Sequence, residues 1–429
     1  MESIIIGGTI LLGLYMAWTI GANDFANSMG DAVGSGAITV RRAVILGALC
    51  EFAGSTLVGA HVTDTVRKGI VDPGHFAAVP EMLALGMICA LLASALWLHL
   101  ATWMGMPVST THAIVGAVAG FGVVAAGWAA VEWSKMGDIV VSWFISPIAG
   151  GVLAFLFFKL TTRSILGREK PVVSAVRYSP VVVFLVTAVV AASILFRGLA
   201  RYLKTRNIEL TDGHAVTMAV VLGLAGAWIS RFFIRKYLVG NEEKPLHEQL
   251  HMVERVFMPL VTMTSCSVAF AHGANDVANA IGPVAAILDI VRGGTISMKP
   301  LVPFWILSLG GVGIVVGLAT YGYKVLVTIG TKITQLTPSR GVCADLATCI
   351  TVLVCTKMSL PVSTTHTIVG AIIGIGLARG LSAVNRQITR DIFYSWFVTV
   401  PASALMAAGL FVLGRWLQVD ALIRQAFPG

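Results

Sequence analysis

Charged residues are scarce in this chain of 429 residues, because Asp, Glu, Lys and Arg together make up 12% of it, where a soluble domain carries about 25%. The six cysteines include no CxxC pair, so we interpret them as small apolar side chains rather than metal ligands or a disulfide framework. No GxxxxGK[ST] segment for nucleotide phosphates is present. These absences argue against a soluble enzyme and against an ATP-driven step.

Apolar residues, in contrast, make up 56% of the chain and form repeated blocks near the ~20 residues that cross a bilayer as a helix. The blocks predict an all-α polytopic membrane protein with about 10–12 transmembrane helices, some of them broken or re-entrant. The candidate spans are residues 3–20, 42–62, 82–104, 138–160, 180–200, 214–237, 256–271, 302–329, 342–358 and 392–416.

Basic residues outnumber acidic ones, 30 to 21, but they lie in short clusters between the apolar blocks, for example at 161–170 and 197–206. This arrangement is typical of loops that follow the positive-inside rule. It lacks the basic stripe with interleaved aromatics of a nucleic-acid surface. Residues 1–20 have no basic leading region, so we expect a retained helix rather than a cleaved signal peptide.

Two polar motifs each occur twice. "GANDFANSMG" at 21–30 matches "GANDVANAIG" at 273–282 in seven of ten positions, and "PVSTTHAIVGAVAG" at 107–120 matches "PVSTTHTIVGAIIG" at 361–374 in eleven of fourteen. The first pair is displaced by 252 residues and the second by 254, which indicates a duplicated unit.

The duplication predicts three parts. Residues 1–165 form a first repeat, residues 166–249 a central insert with two spans and a short polar loop, and residues 250–429 a second repeat. Transporters are often built from such repeats with inverted topology and bind substrate at the interface between them. Whether the PVSTTH segments span the bilayer or fold back is left open by the sequence.

The first motif places a carboxylate and two carboxamides inside an apolar run, on one helical face. Such oxygens suit Na⁺, and the carboxylate could instead carry a proton; the alternative is that these groups join packed helices by hydrogen bonds. The flanking glycines allow either a helix break or close backbone approach. The candidate cation-binding residues, with the two aspartates as sodium ligands, are Asn23, Asp24, Asn27, Asn275, Asp276 and Asn279.

The second motif predicts hydroxyl groups at a helix N-terminus, with the proline in the first turn. Unpaired N–H groups and the helix dipole would make an anion site there, so that two such termini could hold a tetrahedral oxyanion. The alternative is ordinary helix capping. The candidate anion ligands are Ser109, Thr110, Thr111, Ser363, Thr364 and Thr365.

Four further residues are candidates for the pathway or for coupling. His112 and His366 end the second motif, where a proton-responsive or packing role is expected, and Glu51 and Asp345 stand within apolar stretches. His272 precedes the second GAND motif where Ile20 precedes the first; it lies outside the repeat, and we interpret it as structural.

With these residues in view, the sequence resembles the inorganic phosphate transporter (PiT) family. The resemblance rests on both GAND motifs, on both PVSTTH motifs and on "EFAGSTLVGAHVTDTVRKGIVD" at 51–72. Asp345 stands where family members often have Glu. The absence of a large hydrophilic central loop looks bacterial.

The resemblance implies inverted repeats, a homodimer in a bacterial inner membrane, and symport of inorganic phosphate with Na⁺ or H⁺ and no other cofactor. Phosphate would be held by the two Ser-Thr-Thr segments and the cations near the two aspartates. A sulfate permease of the same fold, an intramembrane hydrolase using Ser109 or Ser363 with a histidine, and an anion channel are the alternatives.

Overall fold

The computed structural model of the chain describes residues 2–59, 70–196, 211–294, 296, 303–357 and 362–427, and most of this backbone is helical. The described ranges contain one isolated pairing of extended backbone, between Val71 and Val131. The prediction of an all-α protein is confirmed. The helices are α1 Glu2–Gly34, α2 Val40–Val58, α3 Pro80–Trp103, α4 Thr110–Ala126, α5 Trp133–Thr161, α6 Pro171–Ile194, α7 Asp212–Leu238, α8 Leu246–Gly293, α9 Phe304–Thr320, α10 Tyr323–Val327, α11 Pro338–Lys357, α12 Thr364–Arg379, α13 Arg386–Trp416 and α14 Val419–Arg424.

Eight helices in the described part of the chain are long and apolar enough to cross a membrane, or nine when the pair α9 and α10, bent by 56°, counts as one span. They account for nine of the ten candidate spans. The tenth, at 42–62, corresponds to α2, whose 19 residues include Arg41, Arg42 and Glu51. Residues 60–62, 197–200, 302 and 358, at the ends of four candidate spans, lie outside the described residues.

The helix order recurs along the chain. Helices α4 and α12 begin at Thr110 and Thr364, 254 residues apart, and α5 and α13 begin at Trp133 and Arg386, 253 residues apart. These displacements match those of the sequence motifs. The division into two repeats and their inversion remain predictions.

Helices of the two predicted repeats pack on each other reciprocally. Helix α1 packs against α9 and α8 against α2, while α4 packs against α13 and α12 against α5. Glycines permit these contacts: a side chain at Gly21 would collide with the carbonyl of Ile314, and one at Gly273 with the backbone of Glu51. Close approach of small residues is how helices associate in a membrane.

Both GAND motifs lie inside continuous helices, because α1 and α8 run unbroken through residues 21–30 and 273–282. Of the two roles considered for their glycines, the structure therefore has close approach rather than helix interruption. The expectation for Pro107 is wrong, because α4 begins at Thr110 with Ser109 as its N-cap, so this proline precedes the first turn. Pro361 lies outside the described residues.

The central insert contributes the hairpin of α6 and α7, which pack on each other, and α6 also packs on α8. At the start of α6, Lys170 Nζ lies 2.6 Å from Glu243 Oε1, and this pairing raises the pKa of Lys170. Both side chains are exposed, so the pair contributes little to stability.

Candidate functional site

The two motif helices bring two aspartates into one buried centre. Asp24 on α1 is 1% exposed and Asp276 on α8 is 5% exposed. Asn27 Nδ2 donates to Asp24 Oδ1 at 2.7 Å, and Asn279 Nδ2 donates to Asp276 Oδ1 at 3.1 Å. Each pair is three residues apart on its helix, the spacing that places side chains on one face.

Each of these asparagines also reaches a hydroxyl of the other predicted repeat. Asn27 Nδ2 donates to Thr365 Oγ1 at 2.8 Å, and Asn279 Nδ2 donates to Thr111 Oγ1 at 3.2 Å and to Thr110 Oγ1 at 3.3 Å. Residues that the sequence placed in separate cation and anion groups are therefore in direct contact, in a reciprocal arrangement.

His272 lies between the two aspartates. Its Nε2 atom is 2.9 Å from Asp276 Oδ2 and 3.3 Å from Asp24 Oδ2, and its side chain has no exposed surface. On its other edge, Nδ1 lies 3.3 Å from Glu51 Oε1, which also accepts a hydrogen bond from Ser28 Oγ at 3.0 Å. The three acids converge on one imidazole.

The centre has the donor set of a cation site. One ligand atom from each of Asp24, His272 and Asp276 can be chosen so that all lie within 4.8 Å of one another. Within the described residues, Asp24 Oδ2, Asp276 Oδ2 and Asn27 Oδ1 are buried without a well-aligned hydrogen bond, and the two carboxylate oxygens share His272 Nε2 as an ion-pair neighbour. Buried oxygens that lack a full set of donors are costly, and carboxylate and carboxamide oxygens are ligands that hard cations prefer.

The PVSTTH motifs form the N-termini of α4 and α12, and these two termini meet. Thr365 Oγ1 donates to Val108 O at 3.4 Å. The first amides of each helix have no carbonyl partner one turn earlier, and they lie beside the threonine hydroxyls. Backbone N–H groups, hydroxyls and the helix dipole together suit an anion.

Ser109 and Ser363 are the N-caps of these helices. Ser109 Oγ accepts from the backbone amide of His112 at 3.3 Å, and Ser363 Oγ accepts from that of His366 at 3.2 Å. Thr364, the first residue of α12, is buried beside Ser363. Capping, considered as the alternative role, is therefore present together with the geometry of an anion site.

His112 and His366 pack on tryptophans behind the termini. The ring centroid of His112 lies 3.7 Å from that of Trp143, that of His366 lies 3.6 Å from that of Trp396, and the two imidazoles are 4.3 Å apart. Both ring nitrogens of His112 and Nε2 of His366 have no hydrogen-bond partner among the described residues, and His366 Nδ1 lies 3.4 Å from Trp143 O, so neither imidazole is hydrogen-bonded to a serine that it would have to activate in a hydrolase.

The remaining predicted residues lie apart from the centre. Asn23 supports the segment before α4: its Nδ2 donates to Thr102 Oγ1 at 2.9 Å and to Met106 O at 3.1 Å, and its Oδ1 accepts from Val108 N at 3.1 Å. Asn275 is half-buried on α8. The structure does not bring these two asparagines to the aspartates.

Asp345 belongs to a second buried acidic group. Its Oδ2 atom accepts from Thr264 Oγ1 at 2.8 Å and from Ser265 Oγ at 2.7 Å, and its carboxyl lies against that of Asp31. Asp31 is two helical turns beyond Asp24, about 10 Å along α1.

Sequence reasoning missed His272 and Asp31. A usable signal existed for His272, because it precedes Asp276 by four residues, the spacing that shares a helix face. The comparison of the two motifs did not identify it, since Ile20 occupies the equivalent position before the first motif. Asp31 lies just beyond the first motif, and its partner comes from α11, which no local pattern shows.

The fold and this centre define a class: polytopic membrane proteins with a cluster of polar and acidic side chains buried among their helices. The model of the phosphate transporter family matches residues 20–407. This chain belongs to the phosphate transporter family, and the resemblance seen in its motifs is confirmed.

Individual proteins that are similar to this chain support its assignment to the family. The chain is 46% identical over 403 residues to a candidate phosphate permease of Pyrococcus abyssi, covering 94% of this chain and 96% of that one. It is 41% identical over 433 residues to the chloroplastic inorganic phosphate transporter 2-1 of Arabidopsis thaliana, covering 95% of this chain and 71% of that one. A solved structure, the sodium-dependent phosphate transporter, aligns over 96% of this chain and 99% of its own with a TM-score of 0.85 and 39% identity. The chain is thus a membrane transporter and not an enzyme, and the hydrolase alternative is wrong.

Proposed function

We propose that this protein is a cation-coupled symporter that carries inorganic phosphate by alternating access. Phosphate binds between the N-termini of α4 and α12, and the coupling cation, Na⁺ or H⁺, binds at the Asp24–Asp276 centre. The observation that carries the proposal is the reciprocal pair of hydrogen bonds from Asn27 to Thr365 and from Asn279 to Thr111. These bonds join the acidic centre to both helix N-termini.

The physical basis of coupling is charge compensation. Phosphate brings negative charge close to two buried carboxylates, which share the single imidazole of His272. A cation between the carboxylates and the anion lowers this repulsion, so each ligand favours binding of the other. Rocking of one helix bundle against the other would then expose the filled site to alternate sides.

Sodium is the favoured coupling ion. The buried Asp24 Oδ2, Asp276 Oδ2 and Asn27 Oδ1 atoms are hard ligands of the kind that Na⁺ takes, and the solved relative is a sodium-dependent phosphate transporter. A proton on one carboxylate is the other form of the proposal. The homodimer and the bacterial inner membrane, implied by the resemblance, belong to the proposal as well.

Transport in proteoliposomes tests the proposal. We expect labelled phosphate to exchange in counterflow and to accumulate when a Na⁺ gradient is imposed at fixed pH. If phosphate accumulation did not depend on Na⁺ but depended on a pH gradient, the coupling ion would be the proton. Inhibition of phosphate uptake by excess sulfate would favour the sulfate permease, and anion conductance without stoichiometric cation flux would favour a channel.

Variants test the assignment of the cation site. Asp24→Asn and Asp276→Asn should each abolish accumulation while the purified protein remains monodisperse. Asp391→Asn is the matched control, because Asp391 is an exposed aspartate on α13, and it should transport normally. Normal transport by both site variants would remove the cation-site assignment.

A further inference from the structure

A deep apolar groove runs along the surface between α5, α12 and α13 and reaches the rings packed behind the helix N-termini described above. Its volume is about 890 Å³, within the range of pockets that bind small ligands, ~300–1,000 Å³. Gly370 and Gly374 of α12 lie along its floor, and Phe144, Val152 and Phe397 lie along its walls.

The groove extends from the interior of the protein towards one end of α5. Its inner end is closed by the rings of His366, Trp143 and Trp396. From His366 to Leu377, the lining residues of α12 span about 16 Å of helix. The groove therefore has the length and the elongated form that suit an alkyl chain rather than a compact ligand.

Positive charge stands at the outer end of the groove. Phe155 lines the groove, and Lys159 Nζ lies 5.7 Å from the centroid of the Phe155 ring. Arg163 follows one turn later and is also exposed. Among the described residues, neither basic side chain has a carboxylate within ion-pair distance. Two cations beside an apolar channel in a membrane protein match a phosphate head group with its acyl chain.

We propose that this groove is a binding site for one anionic phospholipid, whose phosphate contacts Lys159 and Arg163 and whose acyl chain lies in the groove with its end against Trp143 and Trp396. The walls are exposed, with Val152 at 53% and Phe397 at 65%, whereas His366 at the inner end is 2% exposed. A helix of a second copy, with a diameter of ~10 Å, is too wide to reach that inner end, while an acyl chain is narrow enough.

The lipid would adjoin the transport machinery, because His366 directly follows Thr365. Helix α12 lies against α5 with its glycines in contact with the α5 backbone: a side chain at Gly370 would collide with Pro147 and one at Gly374 with Gly151. An acyl chain packed along the contact between α5 and α12 stabilises the position of α12. Binding of the lipid therefore supports the helix that carries half of the anion site.

Native mass spectrometry of the purified full chain tests the proposal, with phosphatidylglycerol and phosphatidylcholine of identical acyl chains as probes. We expect one phosphatidylglycerol to bind at least tenfold more tightly than phosphatidylcholine. Val152→Trp, which fills the groove, should weaken binding at least tenfold. Leu405→Trp is the matched control, because Leu405 is the repeat-related position on α13, is 73% exposed and lies outside the groove; it should leave binding unchanged.

The head-group contact has its own pair of variants. Lys159→Ala should weaken phosphatidylglycerol binding about fivefold, since one basic residue near a membrane surface contributes on this scale. Lys135→Ala, at the other end of α5, should have no effect. Equal binding of the two lipids, or equal effects of Val152→Trp and Leu405→Trp, would overturn the proposal. Formation of disulfide-linked dimers by Val152→Cys would also overturn it, because a second copy would then cover the groove.

Discussion

At the scale of single residues, the centre departs from the symmetry of the motifs. His272 occupies the position of Ile20, and Ser28 that of Ala280, under the displacement of 252 residues. Glu51 lies against Gly273 as Ile314 lies against Gly21. One repeat therefore supplies an ionisable group where the other supplies an apolar one, and the proposed cation centre is expected to be unequal on its two sides.

The sequence predicted the aspartates and asparagines of this centre because they are duplicated, and it missed His272 because this residue is not. A duplicated motif identifies residues that occur in both repeats, and it cannot identify a residue that occurs in only one of them. In addition, two partners of Asp24, Thr365 and His272, come from far along the chain. Such contacts depend on tertiary packing, which no local pattern contains.

His272→Ile should destabilise the protein by about 3–5 kcal/mol, the cost of removing one partner from a buried charged group. The reason is that Asp24, Glu51 and Asp276 would face each other without the imidazole. Adding Glu51→Leu should recover part of this loss, because one uncompensated carboxylate is removed. Thermal unfolding in detergent measures both variants, with exposed His75→Ala as the control. A double variant no more stable than His272→Ile would contradict this account.

Asn23→Ala should weaken phosphate binding about tenfold, although Asn23 is not placed at the anion site. Its side chain makes three hydrogen bonds to the segment of Thr102, Met106 and Val108, two of them buried, and losing such bonds costs ~1–3 kcal/mol. The segment leads directly into α4. Calorimetric titration with phosphate measures the effect, and Asn241→Ala, in the loop before α8, is the control. If Asn23→Ala left the affinity for phosphate unchanged but lowered the thermal stability, Asn23 would contribute to folding and not to phosphate binding.

At the scale of helices, the sequence predicted nine of the spans but shortened those that carry the GAND motifs. It placed spans at 3–20 and 256–271, whereas α1 and α8 continue to Gly34 and Gly293. Polar residues look like a helix end in a hydropathy pattern. Here they continue the helix because other helices, rather than lipid, surround them.

Gly21→Ala should destabilise the protein by about 1–3 kcal/mol, the usual cost of overpacking a tight contact. The added methyl group would meet the carbonyl of Ile314 on α9, where backbone cannot yield as a flexible side chain can. Gly7→Ala is the matched control on the same helix, since nothing lies within 4 Å of its new side chain. Thermal unfolding of the two variants should separate them clearly. Equal stability would mean that α1 and α9 are not in close backbone contact.

At the scale of the whole molecule, the two displacements in the sequence predicted that the chain is built twice. They did not predict that α1 and α8, and likewise α4 and α12, take their closest partners from the other half. This exchange places the acidic centre and the two helix N-termini, the proposed ligand sites, at the seam between the predicted halves. In the proposed mechanism, a movement of one half against the other therefore rearranges both sites together.

The shared seam leads to a thermodynamic prediction for the proposed Na⁺-coupled form. Na⁺ must increase phosphate affinity by the same factor by which phosphate increases Na⁺ affinity, because binding linkage is reciprocal. We expect a factor of about 5–150, the usual range of coupling between sites. Titration of the purified protein with each ligand, with and without the other, measures both factors at fixed pH. Asn27→Ala, which removes one of the two hydrogen bonds between the acidic centre and Thr365, should bring both factors closer to one by an equal amount. Two ligands that bind without affecting each other in the unmodified protein would contradict the coupling mechanism, even if each binds tightly alone.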